Sequence, residues 1–254
     1  MSGHLRLRQL LATVPSRALQ TVRGGPVACG LLLLGLLVPN IIGDAVLPMG
    51  AAIPLLIGQL AALLVGWTGL VRAAQGQTGL AGLGLDSIRV LGASVLNSLF
   101  LALIAMILGL VLIGTAGATG LAAGDDLNMV VQSAAVIGGW KAFVLLALEV
   151  AALLLMLTLT ARLLPAGPAS VAERRVISLA ALGWTRGSGV KPAVGLVGVL
   201  LPSILLALSA LLLPNSGDWI DWIWAGVLAF IQFPLLAAFA TSLWRVVRPE
   251  GVPE

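Results

Sequence analysis

Cysteine and histidine are almost missing from this chain: Cys29 and His4 are the only ones among 254 residues. A single thiol excludes an internal disulfide and any cysteine-cluster metal site. A lone imidazole near the N-terminus has no clustered partner for ligation. Charge is scarce as well. Asp, Glu, Lys and Arg make up 9% of the sequence, where a soluble domain carries roughly 25%. Enzyme signatures are missing: no HExxH, CxxC, GxSxG or phosphate-binding loop can be read. No folded basic face lies outside the loops next to apolar runs, so nucleic-acid binding is excluded. A lipobox, a soluble domain and a long polar tail are not read either.

What remains is apolar. Hydrophobic residues reach 59% and the mean hydropathy is +1.10, values that fit a chain whose main solvent is lipid. Six segments are long enough to cross a bilayer as helices, at about 26–47, 50–71, 90–115, 139–161, 192–213 and 223–243. The expected fold is all-α and integral to the membrane, with residues 1–254 forming one six-span domain. The run starting near Val27 lacks a small-x-small cleavage site and is read as a span, not a signal peptide. A shallow outer segment is expected at 129–138.

Charge placement predicts the orientation. Arg6, Arg8, Arg17 and Arg23 precede the first span, and Arg72 and Arg89 separate the second and third. Arg162, Arg174, Arg175, Arg186 and Lys191 separate the fourth and fifth, and Arg245 and Arg248 follow the sixth. Those are 13 of the 14 basic residues, with Lys141 the exception. Asp44, Asp125, Asp126, Asp218 and Asp221 fall on the other side. The positive-inside rule then puts both termini in the cytoplasm of a bacterial inner membrane. Trp140, Trp219, Trp222 and Trp224 read as an outer interfacial belt, and Trp67, Trp184 and Trp244 as an inner one.

Residues 169–187, ASVAERRVISLAALGWTRG, carry four charges between two apolar runs. Ser170 and Glu173 have capping-box spacing. Val176, Leu179, Ala180, Gly183 and Trp184 form an apolar stripe at helical period. One amphipathic helix is expected from Ser170 to about Thr185, lying at the headgroup level or packed on the ends of its neighbouring spans. Similar segments, 14–25 and 84–94, precede the first and second pairs of spans. They suggest a threefold repeat of interfacial helix plus hairpin, with units 5–71, 78–162 and 169–246.

The region from Arg162 to Lys191 resembles a bacterial multi-pass family named for the membrane domain of glycerophosphoryl diester phosphodiesterases. That family carries an arginine leaving a span, a proline-rich turn, an acidic residue and a helix ending in a Ser-Trp…Thr-Arg-Gly motif. Here Arg162, Pro165, Pro168, Glu173, Thr185, Arg186 and Gly187 match. Trp184 stands directly before the threonine instead of earlier, and Ala181 occupies the serine position. The resemblance implies a six-span membrane domain. It does not imply phosphodiesterase activity, because the chain has no room for the soluble catalytic barrel found in some members.

Glu149 lies within the fourth span, where a carboxylate is costly and usually faces protein or water. With Lys141, Gln59, Asn97 and Gln232 it forms a candidate intramembrane polar site. It reads either as a proton-responsive or substrate-facing group, or as a packing hydrogen bond to Gln59 or Asn97. Arg162, Glu173, Arg174, Arg175, Trp184 and Arg186 are the candidate contacts to headgroups or to a partner. Arg23, Arg72, Arg89 and Arg175 could form a phosphate-binding surface, although topology and lipid attraction account for them more simply. Asp125 and Asp126 read as a solvated turn, and the methionines as packing residues. No metal, cofactor or catalytic residue is expected. The expected function is that of a non-enzymatic accessory or scaffold protein whose partners are membrane lipids or other integral membrane proteins. The alternative is a small transporter or channel using Glu149.

Overall fold

The computed structural model describes residues 7–42, 49–119, 139–212 and 219–248. Their regular structure is entirely helical. The segment 129–138 and the residues Asp44, Asp125, Asp126 and Asp218 lie outside the described residues, as does the side chain of Lys141. The long helices are α1 (Leu7–Gly24), α2 (Pro26–Ile42), α3 (Met49–Ala74), α4 (Leu83–Thr119) and α5 (Trp140–Leu163). Short α6 (Ala166–Ala172) and α7 (Ala180–Trp184) follow, then α8 (Lys191–Leu212), α9 (Trp219–Val227) and α10 (Phe233–Val247).

Five helical stretches are long and apolar enough to cross a membrane: Gly50–Ala74, Leu83–Thr115, Phe143–Ala172, Lys191–Ser209 and Ile220–Val247. They take up the last five expected spans. The first expected span falls on α2. It adds a sixth crossing only if α1 and α2, bent by 89° to each other, count as one. The sharp bend sits at Gly25, whose N–H still donates to the Thr21 carbonyl at 2.9 Å. Before the bend α1 runs at nearly a right angle to α2. Leu10, Val14, Ala18 and Thr21 recur at helical spacing and are its buried face. That face rests on α10, α3 and α8.

The three segments expected to open repeat units take three different shapes. The first is the free-standing helix α1. The second merges into α4 without a break, giving a helix of 37 residues. That is about 55 Å of helix, longer than the about 30 Å of a bilayer's hydrocarbon. The third is broken. No threefold repeat is evident among the described residues.

The break corrects the expectation of one helix from Ser170 to Thr185. Ser170 is not an N-cap. It lies inside α6, where its hydroxyl donates to the Ala166 carbonyl at 2.7 Å and accepts from the Ile177 N–H at 2.9 Å. That second bond folds the chain back on α6. Arg174 turns the corner with φ 53°, in the left-handed region. Glu173 bonds Arg175 instead of the backbone. The capping-box spacing was therefore outcompeted by a tertiary turn.

Packing concentrates at one end. One core joins Leu10 and Val14 of α1 to Ala161, Leu196, Phe239 and Leu243. A second joins Ala28, Cys29 and Leu32 of α2 to Leu70, Val71, Val90, Val171 and Ala237. Helix α10 takes part in both. Its alanines and serine let neighbours approach on all sides, and Ala237 through Trp244 are buried throughout. The most apolar window of the last span is 44% buried, whereas none of the corresponding window of α4 is. Five consecutive residues before α10, Leu228–Gln232, form a π turn. Pro234 follows and has no N–H to continue the α ladder, so the extra residue absorbs the mismatch.

Tryptophan placement differs between the ends. Trp140 and Trp222 are exposed, as an interfacial belt requires. The tryptophans expected at the inner side also meet aromatic rings. Trp67 meets Phe233 edge-on at 6.2 Å, and Trp184 lies against Trp244 at 5.1 Å.

Candidate anion site at the basic end of the bundle

Arg72 stands in the last turn of α3. Its guanidinium reaches over the connection to α4. Nη2 donates to the carbonyls of Gly79 at 3.1 Å and Ala81 at 2.8 Å. Nη1 bonds the Asp86 carboxylate. The other oxygen of Asp86 accepts from Arg89 Nη1 at 2.7 Å, one turn further along α4. The Arg72 and Asp86 side chains are only 10% and 8% exposed. A buried guanidinium needs its charge and donors satisfied, and here one carboxylate and two carbonyls do so. Asp86 also lies in the first turn of α4, where a negative charge complements the helix dipole. Gly82, with φ 78°, makes the turn into α4. This framework is tied to α6 through Gln75, whose Nε2 donates to the Pro168 carbonyl at 2.8 Å.

Beside the framework opens a cavity of about 810 Å³. The α3–α4 connection supplies Arg72, Arg89 and Asp86 to its wall. The turn after α6 supplies Arg174, and the end of α10 supplies Trp244, Arg245 and Arg248. Among the described residues, Arg72, Arg89, Arg174 and Arg245 thus line it with one carboxylate, Asp86, and Arg248 stands at its edge. The neighbourhood is more basic still. Arg17 of α1 donates to the Ser242 hydroxyl at 2.8 Å, and burial first, then repulsion from Arg245, lower its affinity for its proton below the ordinary arginine range. Glu173, next in sequence to Arg174, is taken up by Arg175, whose Nε and Nη2 donate to it at 2.8 and 2.6 Å.

Of the candidate headgroup contacts, Arg174 is the one that lines this cavity. Trp184 backs its wall through Trp244. Arg162 donates to the Gly189 carbonyl at 3.2 Å, and Arg186 is exposed in a short 3₁₀ turn. Of the four arginines considered as a phosphate surface, Arg72 and Arg89 line the cavity, whereas Arg23 and Arg175 do not. Sequence reasoning missed the C-terminal contribution, Trp244, Arg245 and Arg248. Their only linear signal is a basic run ending an apolar helix.

The hydrogen bonds of the candidate intramembrane polar residues among the described residues run to other partners. Asn97 accepts from the Ser178 hydroxyl at 2.6 Å. Gln232, in the π turn, accepts from the Ser203 hydroxyl at 2.6 Å and donates to the Val199 carbonyl at 3.2 Å. Gln59 and Glu149 are half-buried on α3 and α5, and no hydrogen bond links them to these residues or to each other. Among the described residues, no group of three or more His, Cys, Asp or Glu side chains is placed to hold a metal ion. No protein-family model matches the chain, and neither does any curated protein or any solved structure.

Proposed function

We propose that this chain is an accessory or scaffold component of a bacterial inner membrane, with both termini cytoplasmic, that works by holding lipids or integral membrane partners and not by catalysis. We also propose kinship with the multi-pass family that the Arg162–Lys191 region resembles. One observation carries the reading. In the most apolar windows of α3, α4 and α5 only 6%, 0% and 6% of the residues are buried, and many of the apolar side chains there are exposed. A surface that apolar and that open is compatible with lipid or with another membrane protein, and not with water. Extraction with native lipid in polymer nanodiscs, followed by identification of bound lipids and proteins, tests it. The expected result is a reproducible lipid complement or a constant protein partner. Recovery of a stable chain with neither would overturn it.

A second reading, a small transporter or channel, draws on Glu149. No hydrogen bond or ion pair of this carboxylate is present among the described residues, and an unpaired intramembrane acid is a natural ion or proton site. Liposomes bearing wild type or Glu149→Gln should then differ in proton or ion flux. Wild-type liposomes no leakier than protein-free ones would sink that reading for the ions tried.

A further inference from the structure

We propose that the cavity at the basic end is a binding site for a phosphate-bearing anion. The positive-inside rule asks for basic residues near the ends of spans, and scattered side chains would satisfy it. It does not ask for guanidiniums from three separate parts of the chain to converge on one cavity. Here the α3–α4 connection, the turn after α6 and the end of α10 meet. Arg72 and Arg89 are held in fixed directions by Asp86. Their charges are offset by one carboxylate, so the pair still carries an excess. Arg174 and Arg245 add to it, and among the described residues Asp86 is the only acid that lines the cavity. Planar guanidiniums suit a tetrahedral anion with several oxygens, which they bind through paired N–H donors.

The backbone points the same way. Arg174 adopts a left-handed conformation that glycine takes without cost. Strain of this kind persists where surrounding structure imposes it, and it clusters at ligand sites. The cavity volume of about 810 Å³ is within the usual range for small-molecule sites. Its rim includes Leu85, which is exposed, so an apolar edge stands beside the guanidiniums. A phosphate could enter as the headgroup of an anionic lipid or free in solution.

The inference rests on the membrane reading only for the depth of the cavity. Its test uses full-length protein in phosphatidylcholine nanodiscs, doped with phosphatidylglycerol in one arm and titrated with inorganic phosphate in the other. Binding is read by native mass spectrometry and by thermal shift. Arg174→Gln with Arg245→Gln should weaken binding roughly tenfold or more, the scale of losing two charge-assisted hydrogen-bonding partners. The pair Arg8→Gln with Lys191→Gln removes equal charge at exposed positions outside the cavity and should change it less than about twofold. If the first pair does not fold, Arg174→Gln alone replaces it. Response in the lipid arm only assigns a headgroup, and response to inorganic phosphate assigns a soluble source as well. Equal losses in both pairs, or no binding by wild type in either arm, would overturn the proposal. Lipid retained along the helices with no effect of Arg174 and Arg245 would leave the membrane reading intact while removing this one.

Discussion

Asp86 is shared by two guanidiniums, and its burial makes it expensive to disturb. Asp86→Asn leaves Arg72 without a counter-charge in a place water barely reaches. Breaking a buried pair from one side costs up to about 3–5 kcal/mol, so the thermal midpoint in detergent should fall sharply. The Glu173–Arg175 pair differs on one side only: the Arg175 side chain is 70% exposed but that of Glu173 is 8% exposed. Arg175→Ala would leave the Glu173 carboxylate without its partner and should cost about 1–3 kcal/mol. A small loss at Asp86 would show that the two carbonyls alone satisfy Arg72. Arg174→Gly should separate stability from binding. Relief of the left-handed backbone is worth about 1–2 kcal/mol, partly offset by the extra freedom glycine has in the unfolded chain. The variant should melt at the same or a higher temperature and bind phosphatidylglycerol less well. A clear loss of stability would mean that the Arg174 side chain holds the turn together.

Among the elements, the hairpin of α2 and α3 depends on the absence of side chains. A Cβ on Gly66 would come within 2.8 Å of Leu32 Cγ and 2.9 Å of the Ala28 carbonyl oxygen. The backbone oxygen cannot move aside as a side chain can. Gly66→Ala should therefore destabilise by about 1–3 kcal/mol, the usual range for overpacking. A Cβ on Gly58, two turns earlier on α3, would meet nothing within 4 Å. Gly58→Ala should be neutral or slightly stabilising, and equal effects at the two positions in thermal unfolding would refute this packing. Apolar runs made the long helices legible in the sequence except α1, which reads only as a short amphipathic segment at 14–25. The shape of 170–185 was not, because the cap and the helical stripe were local signals. The competing bond from the Ile177 N–H to the Ser170 hydroxyl spans seven residues and is visible only once the chain has folded back.

For the molecule as a whole, orientation is the property most open to direct measurement. In a Cys29→Ala background, Ser188→Cys should resist a membrane-impermeant thiol reagent in intact spheroplasts and react in inverted vesicles. Ser216→Cys should do the reverse. The opposite pattern would invert the topology and put the arginine cavity outside the cell. Composition and periodicity alone determine that this is an all-α, multi-span protein, because those properties depend on runs of neighbouring residues. Which arginines share a cavity, and which one is pinned by Asp86, was decided by tertiary structure. Arg72, Arg174 and Arg245 are 102 and 71 residues from one to the next in sequence and meet only because α3, α6 and α10 pack together at one end. A linear pattern cannot encode that meeting. It follows from how small residues on α10 let the neighbouring helices close around it.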